Sequence, residues 1–222
     1  MNKRVFAVAS VLAIMVASAA SAQTYGPFNA ALPAGGDAVT SAIGDAGAAA
    51  IDAPAWTLSG WIEPKAVANG IVLVAGFGDP ATGPRRFLAL DGGRPGIITE
   101  TGALTATTRL AAGKWRFVAA TCDGSVLRLF VDGRQVAQRT MAVAAVRPTV
   151  VIAPRGAGVP FAGRVAGFAL QVGARTPADL RADAARTPDS LTVYQNGSPN
   201  WPVQVRQMYG QITPQDAWTR PV

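Results

Sequence analysis

The sequence predicts an all-β chain built as an antiparallel sandwich. Three observations carry this: short apolar runs at roughly ten-residue spacing, Gly-rich turns between them, and an Asp-Gly pair set between two alternating segments. Composition agrees, with 40 Gly and Pro in 222 residues and half of the chain apolar. A chain of this length makes one domain, or one domain and a tail, with a full core.

The elements follow in order. Trp56 to Ile62 reads as a strand with Trp56, Leu58, Gly60 and Ile62 on one face and Thr57, Ser59 and Trp61 on the other. Ile71 to Phe77 is a continuous apolar run, the mark of a strand buried on both sides. Arg86 to Leu90 and Gly96 to Thr99 flank the turn cluster Asp91-Gly92-Gly93-Arg94-Pro95. Lys114 to Thr121 alternates Trp115, Phe117 and Ala119 against Lys114, Arg116 and Val118. Ser125 to Val131 and Arg134 to Thr140 are joined by Asp132-Gly133, a pair suited to the positive φ angles of a type I′ turn. Thr149 to Ala153 and Phe161 to Gln171 complete the strands. Thr176 as cap, Pro177 at the first position and Asp179 three residues past the cap start a helix over 177–185, with Leu180 and Ala184 facing the sheet.

Both ends differ from this pattern. Lys3 and Arg4, an apolar run over 5–16 and the small residues ending Ala20-Ser21-Ala22 have the three-part layout of a cleaved secretory signal over 1–22. The run is shorter than the roughly 20 residues that span a bilayer. The expected product is therefore exported, periplasmic or extracellular, with no membrane association after cleavage. The sandwich is expected over 23–187. Residues 188–222 hold Tyr194, Trp201, Tyr209 and Trp218 among five prolines, an extended aromatic tail that packs on the sandwich or leads to a neighbouring domain.

The inventory excludes much chemistry. Without His there is no imidazole base and no His metal ligand; one cysteine, Cys122, excludes an intrachain disulfide and Cys-based zinc, and is expected to be buried. No G-x-S-x-G occurs. Glu63 and Glu100, 37 residues apart, are the two glutamates, and no pair of acids shares a strand face as a glycosidase needs. No catalytic residue is assigned. Loss of Lys3 and Arg4 takes the net charge from +7 to +5. The basic residues are mostly scattered, which fits solubilising arginines better than an anionic polysaccharide, and a nucleic-acid partner is not expected of an exported chain.

The stretch Gly113-Lys114-Trp115-Arg116-Phe117 through Cys122-Asp123-Gly124 to Phe130-Val131-Asp132-Gly133 resembles a signature of laminin G-like, concanavalin A-like domains. Trp56 to Trp61 is similar to the family's x-L-S-x-W-I strand. Phe161-Ala162-Gly163-Arg164-Val165 to Leu170 is similar to its closing strand, although Ala166 stands where that strand often has Asp. The resemblance, over about 26–187, implies a two-sheet antiparallel jelly roll with one short C-terminal helix. It implies a non-catalytic module that binds carbohydrate or accompanies a polysaccharide-degrading enzyme; the alternative is a structural or protein-docking domain.

Two sites are expected on this basis. A glycan site would use Trp61 as an exposed stacking ring with Arg85, Arg86 and Arg94 in nearby loops. A calcium ion would be held by Asp79 and Asp91, although turn aspartates more often bond their own backbone.

Overall fold

The computed structural model describes residues 24–32, 39–42, 53–142, 144–146, 149–154, 159–186 and 188. The expected signal and nearly all of the aromatic tail lie outside the described residues. Among the described residues, twelve strands form two six-stranded antiparallel sheets. They are β1 (Thr24–Leu32), β2 (Val39–Ala42), β3 (Ala55–Pro64), β4 (Ile71–Gly78), β5 (Arg85–Asp91), β6 (Arg94–Thr99), β7 (Gly102–Thr105), β8 (Arg116–Asp123), β9 (Val126–Val131), β10 (Arg134–Thr140), β11 (Thr149–Ile152) and β12 (Gly163–Val172). One sheet has the order β1-β12-β3-β8-β9-β10 and the other β2-β11-β4-β5-β6-β7. The single described helix, α1, spans Pro177–Ala184.

The core fills the space between the sheets. Trp56, Leu58 and Ile62 of β3, Val118 and Ala120 of β8, and Leu127 and Leu129 of β9 face Val74 and Phe77 of β4, Leu88 of β5 and Ile97 of β6. Gly60 shares the inward face, and a Cβ there would lie 3.1 Å from the Phe168 Cα. The missing side chain lets Phe168 close over β3 and stack on Phe77 of the other sheet, with ring centroids 5.9 Å apart. Cys122 is buried, as expected.

The outer face of the first sheet is also covered. β12 is followed by Gly173, whose N–H donates to the Ala55 carbonyl at 2.9 Å. Thr57 Oγ1 donates to the Gly173 carbonyl at 2.8 Å and accepts from the Arg175 N–H at 2.9 Å, turning the chain back across β3. Thr176 and Asp179 then form a reciprocal capping box. Leu180, fully buried, lands on Trp61, Phe117, Ala119, Phe130 and Ala166, with Ala184 beside it. The helix runs as expected, one residue shorter at its end.

The β9–β10 hairpin turns on Asp132 and Gly133, with φ of 49° and 72°. A Cβ on Gly133 would meet the Arg181 Cα at 2.6 Å, so the turn lies directly under α1. At the opposite end of β9, the Asp123 carboxylate accepts from the Val126 and Ser125 N–H groups and from Arg128 Nη1 at 2.6 Å. These bonds, the Val126 amide first, hold its carboxyl well below the usual carboxylate range.

Three described strands have no counterpart in the sequence-based expectation: β1, β2 and β7. Each borders a sheet. β1 contains Pro27 and shows two register shifts against β12, which removes regular alternation.

Two consequences are measurable. Leu180→Ala should lower the unfolding free energy by about 2–5 kcal/mol in urea titration. Asp123 has a lowered folded-state pKa, so it stabilises the fold above its unfolded value near ~3.9 and loses this as pH falls further. Asp123→Asn should therefore flatten the fall of Tm between about pH 4 and pH 2.

Candidate functional site: a cleft on the sandwich rim

The residues expected to form a glycan site do not come together. Trp61 points outward from β3, opposite to Trp56, as the alternation requires. It is nevertheless buried, at 8% exposure, under α1 and edge-on to Phe117 at 5.6 Å. The expectation of an exposed ring is corrected, because the helix that follows β12 folds back over this face. Arg85 and Arg86 begin β5 rather than sitting in a loop. Arg94 pairs with Asp91 at the other end of the β5–β6 hairpin, about 20 Å away at ~3.3 Å per residue.

Arg85 and Arg86 have structural duties. Arg85 Nη1 donates to the Pro80 and Ala81 carbonyls at 3.2 and 2.8 Å and holds the loop before its strand. Arg86 is 2% exposed between the sheets. Its guanidinium carbon lies 4.8 Å over the Trp56 ring, and Nη2 donates to the Ala144 carbonyl at 3.0 Å. It is a core cation, not a ligand contact, and corrects the expectation of a surface site. Arg94 is exposed.

The expected calcium ligands are also apart. Asp79 accepts from the Ala81 and Thr82 N–H groups at 2.8 and 3.2 Å and from Thr82 Oγ1, an Asx turn. Asp91 lies at the far end of β5. Among the described residues, no three His, Cys, Asp or Glu side chains gather as a metal group would need.

Both glutamates are structural acceptors. Glu63, at the end of β3, accepts from Arg164 Nε of β12; that bond holds Arg164 above its ordinary pKa, and its guanidinium lies over the Trp115 ring. Glu100, in the β6–β7 turn, accepts from the Ala144 N–H at 2.6 Å and the Arg85 N–H at 3.4 Å. They occupy opposite ends of the sandwich. The Gly113 N–H bonds to the Pro64 carbonyl and the Leu110 N–H to the Gly93 carbonyl, which places Glu63 near the start of β6, whereas Glu100 follows its end.

Among the cavities on the described surface are the following two. One, of about 280 Å³, is lined by Ala66, Val72, Leu90, Val159, Phe161 and neighbours, with no polar side chain among the described residues. The other, of about 600 Å³, lies between the chain after β7 and the β9–β10 hairpin. Ala106, Leu110, Val131 and Val136 give it apolar lining; Thr108, Arg109, Arg116, Asp132 and Arg134 give it polar lining. The loop side is pinned by the Ala106 N–H to Pro95 O and Leu110 N–H to Gly93 O bonds, both 2.8 Å. On the hairpin side Asp132 accepts from Arg116 Nη1 at 2.6 Å and from the Phe117 N–H at 3.1 Å. Sequence reasoning missed this site, since Arg109, Arg116 and Arg134 share no strand and no motif.

The architecture agrees with a family match over residues 34–181, to the concanavalin A-like lectin/glucanases superfamily. The chain belongs to this superfamily. Among curated proteins, none matches the sequence. Solved structures share the superfamily fold at low identity. The CBM40 of the Ruminococcus gnavus IT-sialidase, bound to α2,3 sialyllactose, superposes with a TM-score of 0.55 at 15% identity, over 71% of this chain and 98% of that module. The receptor-binding domain of botulinum neurotoxin D gives 0.52 at 12% identity, over 74% of this chain and 47% of that one. The superfamily contains binding modules and hydrolases, so the fold alone does not select an activity.

Since Trp61 supports the helix, Trp61→Ala should cost about 3–5 kcal/mol in chemical denaturation. A loss below about 0.5 kcal/mol would mean that the ring is solvent-facing.

Proposed function

We propose that this chain is an exported, non-catalytic glycan-binding module, acting beside or attached to a polysaccharide-degrading enzyme. The observation that carries the proposal is the rim cleft. Its volume of about 600 Å³ falls within the ~300–1,000 Å³ of small-ligand sites. It combines apolar side chains, against which the C–H faces of a sugar pack, with guanidinium donors for its oxygens.

The acids support the non-catalytic part. Glycoside hydrolysis uses two carboxyl groups about 5–10 Å apart. Glu63 and Glu100 belong to different sheets and lie at opposite ends of β6, a strand roughly 20 Å long at ~3.3 Å per residue. Each is already engaged in holding strands or loops together. The near-complete coverage of the sialidase CBM40 supports a module of this size as a binding unit. A calcium ion at Asp79 or at Asp91 alone, since the two lie at opposite ends of β5, is a separate proposal, and a chelator arm tests it.

A second reading, a protein-docking domain, has one observation in its favour. Among the described residues the smaller cavity is lined by apolar side chains, and Val159 on its rim is 46% exposed.

The test is electrophoresis of the full chain through native gels cast with neutral and acidic polysaccharides, with calcium or with chelator. Retardation in at least one gel is expected, with no release of reducing ends from any polymer. No retardation in any gel would overturn glycan binding in favour of docking, and released reducing ends would overturn the non-catalytic assignment.

A further inference from the structure

We infer that the rim cleft selects an acidic glycan, and that Arg109 and Arg134 bind its carboxylate groups. This rests on the glycan-binding reading above and names the class of ligand for the same site.

The cleft presents three guanidiniums and one carboxylate. The carboxylate is spent: Asp132 fixes Arg116 through one oxygen and the Phe117 amide through the other. Arg109 and Arg134 are exposed, and among the described residues neither guanidinium has a hydrogen bond or ion pair. Many other arginines of the sandwich are engaged. Arg85 holds a loop, Arg86 sits on Trp56, and Arg128, Arg164 and Arg175 pair with Asp123, Glu63 and Asp183. Arg94, Arg139, Arg181 and Arg186 also stand without a described partner, but none of them lines either cavity.

Thus the cleft holds two guanidiniums that the fold does not use, Arg109 and Arg134. Two planar donor forks beside an apolar wall match a sugar carboxylate, which accepts paired N–H bonds while its ring packs on Val131 and Val136. The same lining disfavours nucleic acid. It contains no aromatic ring on which a base could stack.

The test compares the full chain with R109Q/R134Q and with R139Q. The last removes the same kind of charge from the far end of β10. Folding of each variant is checked by its Tm. Dissociation constants are measured for polygalacturonate, for its methyl-esterified neutral form, and for dextran sulfate. The expected result is tenfold or greater loss of polygalacturonate affinity in R109Q/R134Q, less than twofold loss in R139Q, weaker binding of the neutral and sulfated polymers, and weakening by added salt. Equal losses in both variants, or unchanged affinity in R109Q/R134Q, would overturn the inference by showing diffuse surface charge or another site. Stronger binding of the esterified polymer or of dextran sulfate would overturn carboxylate selection while leaving glycan binding intact. Failure to bind any glycan would overturn both.

Discussion

The structure depends on β3 being buried on both of its faces. Trp56 enters the space between the sheets, and five residues later the same strand puts Trp61 on the outside, where Leu180 seals it. Neither ring can be left in water cheaply, since a buried aromatic side chain removes some 150–250 Å² from solvent. The chain after β12 must therefore come back over the sheet. Thr57, on the same outer face, supplies the two hydrogen bonds that turn it. Core, helix and helix entry are thus coupled through one ten-residue strand.

This coupling separates structural from available charge. The arginines nearest to conspicuous sequence features are consumed by the fold: Arg86 beneath Trp56, Arg164 between Glu63 and Trp115. Arg109 and Arg134 lie in an unremarkable loop and at a strand start, and they remain at the surface. On the glycan-binding proposal, the binding chemistry would be displaced from the strand faces to the rim, where the loop after β7 approaches the β9–β10 hairpin.

The central strands were legible in the sequence, and the edge strand β10 was legible through the turn that leads into it. Residues 71–77 and the Asp132-Gly133 hairpin announce themselves through apolar continuity and turn chemistry, and the Thr176–Asp179 box announces the helix. β1, β2 and β7 were not, because an edge strand with one neighbour tolerates Pro27, small residues and short length without the alternation that burial imposes. The alternation of β3 correctly put Trp56 and Trp61 on opposite faces. It could not say that a helix starting 116 residues after Trp61 would cover the second face. The cleft was invisible for a related reason: Arg109, Arg116 and Arg134 become neighbours only through pairing between strands and approach between sheets.

The tight seat of Gly133 against the Arg181 backbone has an evolutionary consequence. A hairpin tip wedged under a helix has no room to lengthen or to acquire side chains, so that wall is closed to insertion. The opposite wall, residues 106–113, is a surface loop moored by the backbone bonds to Pro95, Gly93 and Pro64. Loops of that kind accept substitutions and insertions at little cost to the fold. Divergence of ligand preference among descendants of this sequence would therefore be written on one bank of the cleft, with the other serving as a fixed ruler.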